Sequence, residues 1–121
     1  MPRPVLAESA LHPAIRGQVG AYNAAIIGEV QAAVARHPVV VVGMAGNPFV
    51  KKARRALDAA GVAHHDLDYG SYFGGWRRRN ALKMWTGWPT LPMVFVKGQL
   101  VGGADDLARL IASGELKKLL A

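Results

Sequence analysis

Four consecutive valines, Val39-Val40-Val41-Val42, stand between Pro38 and Gly43. A β-branched run this short, apolar at every position, fits a strand covered on both faces and does not suit a half-exposed strand, whose apolar residues would alternate with polar ones. Such a strand needs helices on each side of its sheet, so the flanking segments must be largely helical. The preceding residues agree: from His12 to Arg36, Ile15, Val19, Tyr22, Ile26, Ile27, Val30 and Val34 recur at spacings of three and four and predict one long amphipathic helix. After the valines, Asn47 is placed to cap a helix whose first residue is Pro48, where a missing N–H needs no partner. Val50, Ala53, Leu57 and Ala60 give that helix an apolar face from Phe49 to Ala60, and Gly61 ends it.

Val62 to Asp68 reads as a second strand, so strand, helix and strand form a parallel crossover unit. Trp76 to Trp85 predicts a further helix, broken at Thr86-Gly87. Met93-Val94-Phe95-Val96 and Gln99-Leu100-Val101-Gly102 then flank Lys97-Gly98, a two-residue connection suited to a tight β-hairpin. A last helix from Asp106 to Ala112, with an extension from Glu115 to Leu120, completes the order. The expected architecture is α/β: a four-stranded mixed sheet flanked by helices, with an extra N-terminal helix. With 121 residues the chain is the size of one domain, residues 1–121, of which 1–11 are expected to be a flexible N-terminus and 12–37 the N-terminal helix.

Composition enters where it restricts chemistry. The chain has no cysteine, which excludes disulfides, thiolate metal ligands and a thiol nucleophile supplied by the chain itself. Fifteen Lys and Arg against eight Asp and Glu give a formal charge of +7, which favours acidic partners without naming one. No apolar run reaches signal-peptide or membrane-span length, so the expectation is a cytoplasmic protein with no membrane partner.

The segment Trp88-Pro89-Thr90-Leu91-Pro92, continued by Gly98-Gln99-Leu100-Val101-Gly102-Gly103-Ala104-Asp105, resembles the W-P-T-x-P…G-x-x-x-G-G-x-D pattern of monothiol glutaredoxins. Arg79-Asn80-Ala81-Leu82-Lys83 matches the helix before that pattern, and the likeness extends over about residues 20–120. It implies the thioredoxin-like (glutaredoxin) fold, with a cis bond before Pro92 at the floor of a glutathione groove. It further implies that the Leu91 backbone pairs with the cysteinyl unit as a strand edge pairs with a peptide. Arg79 would meet the glycyl carboxylate, and Ala104 with Asp105 would receive the γ-glutamyl end.

The likeness stops at the chemistry. Where the family carries its cysteine motif at a helix start, this chain has Asn47-Pro48-Phe49-Val50; under a second alignment, Gly46-Asn47-Pro48 matches the family's Gly-Thr-Pro loop and the cysteine-bearing insertion is absent. Either way the nucleophile position falls near Asn47, there is no catalytic residue to assign, and Met44 or Ala45 replaces the family's lysine. The expected function is therefore noncovalent binding of glutathione or a peptide, or an adaptor role toward an acidic protein, with no thiol–disulfide exchange and no iron–sulfur cluster. Two alternatives stand beside it: a glutathione-dependent oxidoreductase, as the family implies, and a basic nucleic-acid-binding module.

Tyr69, Tyr72, Phe73, Trp76, Trp85 and Trp88 cluster around Arg77-Arg78-Arg79, a mixture that suits single-stranded nucleic acid. The simpler expectation is that Trp85 and Trp88 pack a helix onto the sheet while the others fill the loop leading to it. Nucleic acid is therefore not the favoured partner. His64 and His65, adjacent in an expected strand, point to opposite faces and do not form a metal pair.

Overall fold

The computed structural model describes residues 3–121. The valine run forms β1 (Val39–Gly43), which lies inside a four-stranded sheet of order β2-β1-β3-β4 with β2 (His65–Asp68), β3 (Met93–Val96) and β4 (Gln99–Gly102). β1 runs parallel to β2 and antiparallel to β3, and β3 runs antiparallel to β4. Alternate valines of β1 serve opposite layers. Val40 and Val42 pack with Met93, Phe95 and Leu82 on one face, and Val39 and Val41 with Val94, Leu57 and Leu107 on the other. The first layer is covered by α2 (Ala24–Arg36) and α4 (Trp76–Thr86), the second by α3 (Pro48–Ala59), α5 (Ala104–Ser113) and α6 (Glu115–Leu120). The mixed sheet, the flanking helices and the thioredoxin-like topology are as expected from the sequence. Among the described residues no helix is long and apolar enough to cross a membrane.

The N-terminal helix is not continuous. It divides into α1 (Pro13–Ala21) and α2, with Asn23 between them at φ 46°, ψ 38°. Asn is among the few residues that occupy this left-handed region readily, and the helix breaks there. Ile26, Val30 and Ala33 of α2 are buried, whereas Ile15 and Val19 of α1 remain exposed. Of the expected flexible N-terminus, residues 1–2 lie outside the described residues. Glu8–Ala10 forms a 3-10 turn, and Arg3 donates from Nη1 to the Thr86 carbonyl at 2.8 Å, satisfying a free carbonyl at the end of α4.

Several boundaries also move by a residue or more. β2 starts at His65, because the N–H groups of Gly61 and Val62 bond back to the Asp58 and Leu57 carbonyls and belong to the exit of α3. α5 starts at Ala104, two residues early, because the Asp106 carboxylate accepts from the Gly103 N–H at 3.0 Å and closes the helix start. α4 runs one residue further than expected, to Thr86. The hairpin is where it was read, with Lys97 and Gly98 both at positive φ, 50° and 83°, as a type I′ turn requires.

Candidate functional site

At one end of the sheet the loops after β1 and before β3 meet the start of α5. Asn47 caps α3: its Oδ1 accepts from the Phe49 N–H at 2.9 Å and the Val50 N–H at 3.2 Å, and the residue is buried. These are the orphan donors of a helix start, the groups able to stabilise an anion there. In this chain a neutral amide oxygen already occupies them. A carboxamide offers no thiolate to attack a disulfide or to ligate iron, so the residues present do not fit a thiolate-held iron–sulfur cluster.

Beside this cap, a cavity of about 230 Å³ is lined by Leu91, Pro92, Ala104 and Asp105 together with Phe49 and Trp88. Four of the five ligand-binding residues expected from the sequence are thus brought together. The Leu91–Pro92 bond is cis. β1–β3 pairing begins only at Val42 and Met93, and the Leu91 N–H and carbonyl have no main-chain partner among the described residues. The N–H groups of Ala104 and Asp105, in the first turn of α5, are likewise free within the described chain.

The fifth residue, Arg79, stands apart from this cavity. Its Nη1 donates to the Gly74 carbonyl at 2.7 Å and the Tyr69 carbonyl at 3.1 Å, which fastens the loop between β2 and α4. That loop folds back tightly: Gly70 sits at φ 72°, with the Gly74 carbonyl where a Cβ would lie. Asp105 is not free either, since Lys52 Nζ of α3 lies 2.9 Å from its Oδ1; both side chains are exposed, so the pair is screened and readily exchanged. Asp106 makes the structural contacts instead. The Gly103 N–H, against some opposing burial, and the Arg109 guanidinium hold its carboxyl below the usual carboxylate range.

Sequence reasoning gave Trp88 only a packing role, read Lys52 as part of an exposed basic helix face, and assigned nothing to the Phe49 side chain. Trp88 belonged to the quoted motif, and its indole Nε1 is buried with no hydrogen-bond partner. Thr86 Oγ1 accepts from the Trp88 N–H at 3.1 Å and fixes the loop's direction. The aromatic cluster also divides differently from the expectation. Tyr69 is buried and Trp85 and Trp88 pack against the core, but Tyr72, Phe73 and Trp76 are exposed rather than filling their loop. The Arg77 guanidinium lies 5.3 Å from the Trp76 ring centroid, within cation–π range. His64 and His65 diverge: His64 bridges Asp58 and Asp66, and His65 stacks on His37.

The glutaredoxin family profile matches residues 39–101. A glutaredoxin-like protein of Dictyostelium discoideum is 46% identical over 95 residues, covering 78% of this chain and 77% of that one. The crystal structure of oxidized glutaredoxin 2 from Chlamydomonas reinhardtii superposes with a TM-score of 0.70 at 32% identity, over 81% of this chain and 92% of that chain. The buckwheat glutaredoxin–glutathione complex shares the fold at a TM-score of 0.73 and 24% identity, over 83% and 91% of the two chains. Strand order, the cis-proline loop and these matches agree: the chain belongs to the glutaredoxin family, as a member without cysteine.

Proposed function

We propose that this protein binds glutathione, or a peptide presenting the same end groups, noncovalently and acts as a binding or adaptor module without thiol–disulfide exchange. The observation that carries the reading is the free main chain of Leu91 beside cis-Pro92, in one cavity with the open first turn of α5. An extended peptide pairs with such an edge, and a carboxylate accepts from helix N–H groups. At about 230 Å³ the cavity is smaller than the usual range for a whole small-molecule ligand, about 300–1,000 Å³, and suits one end of a tripeptide. The γ-glutamyl carboxylate then takes the Ala104 and Asp105 N–H groups, and its ammonium competes with Lys52 for the Asp105 carboxylate. Arg79, already anchored through Nη1, offers its other donors to the glycyl carboxylate. The glutathione bound by the buckwheat relative supports the same choice of ligand.

Each of these contacts displaces water from exposed groups, so affinity falls in the micromolar to millimolar range, about −8 to −4 kcal/mol. Isothermal titration with glutathione tests the reading. Arg79→Ala weakens binding about tenfold, the loss of roughly one charged hydrogen bond, whereas Arg77→Ala, at an exposed position, changes it little. Absence of binding at millimolar glutathione overturns the proposal.

A second reading has its own observation: Tyr72, Phe73 and Trp76 stand exposed next to Arg77 and Arg78. Bases stack on such rings while arginines meet phosphates. Retention on single-stranded oligothymidylate that weakens steeply with salt, and that Phe73→Ala reduces, favours nucleic acid; no retention at low salt removes it.

A further inference from the structure

A second recess, of about 690 Å³, lies at the opposite end of the sheet. β3 connects the two: its first residue, Met93, follows cis-Pro92, and its last, Val96, leads into the Lys97–Gly98 turn that lines the second recess. At about 3.3 Å per residue the strand separates the two sites by more than 10 Å. The recess is within the size range of small-molecule sites, and neither the groove at Leu91 nor the family resemblance accounts for it.

Its floor is apolar and aromatic. Val34, Trp85 and Phe95 line it, with the Trp85 and Phe95 rings 6.2 Å apart and inclined by 25°. Its rim is cationic. Arg36 and Lys97 both line it, neither forms an ion pair among the described residues, and no acidic residue is part of the lining. Arg36 ends α2, where a cation offsets the partial negative charge of the helix terminus. Lys97 has no such duty. It occupies the first central position of a type I′ turn at φ 50°, where Asn, Asp or Gly is the favoured choice. A lysine there works against backbone preference, and what it adds is an unpaired ammonium at the mouth of an apolar recess. His37 closes the side, its ring stacked on His65 with centroids 4.1 Å apart.

We propose that this recess binds a small apolar carboxylate, an aromatic or medium-chain acid, with the hydrocarbon on Trp85 and Phe95 and the carboxylate at Lys97 and Arg36. The site is independent of the glutathione groove and does not need it to be functional.

The test uses the isotope-labelled full chain, titrated with octanoate and in parallel with 1-octanol as the uncharged isostere. Octanoate shifts the resonances of Val34, Phe95, Lys97 and the Trp85 indole N–H while leaving Leu91, Ala104 and Asp105 in place, with a Kd on the order of 0.1–1 mM. Octanol binds about tenfold more weakly. Lys97→Asn keeps a residue that favours the turn and so preserves the fold; it weakens octanoate about tenfold, as expected for one charged hydrogen bond, and leaves octanol unchanged. Any of three results overturns the proposal: no shifts at about 10 mM octanoate, equal binding of octanol with no effect of Lys97→Asn, or shifts confined to the Leu91 groove.

Discussion

Asn47 shows how one side chain redirects a site. As a cap it satisfies two backbone donors of α3, so Asn47→Ala should cost about 1 kcal/mol and lower the melting temperature by about 3–6 °C. Asn47→Asp, which retains the acceptor and adds charge favoured at a helix start, should melt no lower than the native protein; thermal denaturation of the two variants separates a cap from an inert residue. Asn47→Cys places a thiol at the same helix start and should form a mixed disulfide with oxidised glutathione, seen as an added mass that the native chain never acquires. The capping role of Asn47 was legible in the sequence because Pro48 marks a helix start and Asn is a standard cap. The position of Arg79 was not. Its partners are two backbone carbonyls, of Tyr69 and Gly74, and nothing in a residue pattern reports where a loop carbonyl points.

At the level of elements, local signals fared best. The β3–β4 hairpin was read with its observed boundaries because turn type and strand pattern are both short-range. The N-terminal helix was misread because the apolar spacing continues unbroken through Tyr22 and Ile26, while the break at Asn23 is a backbone choice that side-chain periodicity does not reveal. The division has an energetic consequence. Ile26→Ala, in the buried face of α2, should cost about 2–5 kcal/mol, whereas Val19→Ala, on exposed α1, should stay within about 0.5 kcal/mol; chemical denaturation measures both.

The junction of α3 with β2 is a charged clasp. His64 Nε2 lies 2.8 Å from Asp58 Oδ1 and its Nδ1 2.6 Å from Asp66 Oδ1. Burial alone would lower the imidazole pKa, but the hydrogen bonds to Asp58 and Asp66 and their negative charges together outweigh it and raise the value. A raised folded pKa contributes stability that is complete below the unfolded value, about 6.5, and is lost as pH rises through the folded value. Stability should therefore decline as pH rises above about 6.5 in the native protein and decline less in His64→Gln. Identical slopes in denaturation between pH 6 and 9 would show that the clasp does not hold a charged imidazole. Asp106, whose pKa is lowered, acts in the other sense: its contribution is lost as pH falls through the folded value, below the ordinary carboxylate range.

Across the whole molecule, β1 divides the interior into two layers and its ends lead to two recesses of different character. The groove at the Pro92 end, proposed to pair with a peptide, brings an unpaired Leu91 main chain and the open start of α5 together beside a helix capped by the Asn47 amide. Four of the five residues expected at the groove meet in one cavity because the motif carrying Leu91, Pro92, Ala104 and Asp105 is nearly contiguous and ordered by adjacent turns. Lys52, the partner of Asp105, was not, because it comes from α3, 53 residues earlier in the chain.

Binding without thiol chemistry is tested most directly by removing the thiol from the ligand. S-methylglutathione retains both carboxylates, the ammonium and the peptide backbone but cannot exchange disulfides. Titrated into the isotope-labelled protein, it should shift the resonances of Leu91, Ala104 and Asp105 as glutathione does, with an affinity within about threefold of glutathione's, a difference of less than 1 kcal/mol. If neither compound moves those resonances at about 10 mM, beyond the weak end of the expected range, or if only the thiol-bearing one does, the account of a preserved, chemically silent glutathione groove is contradicted.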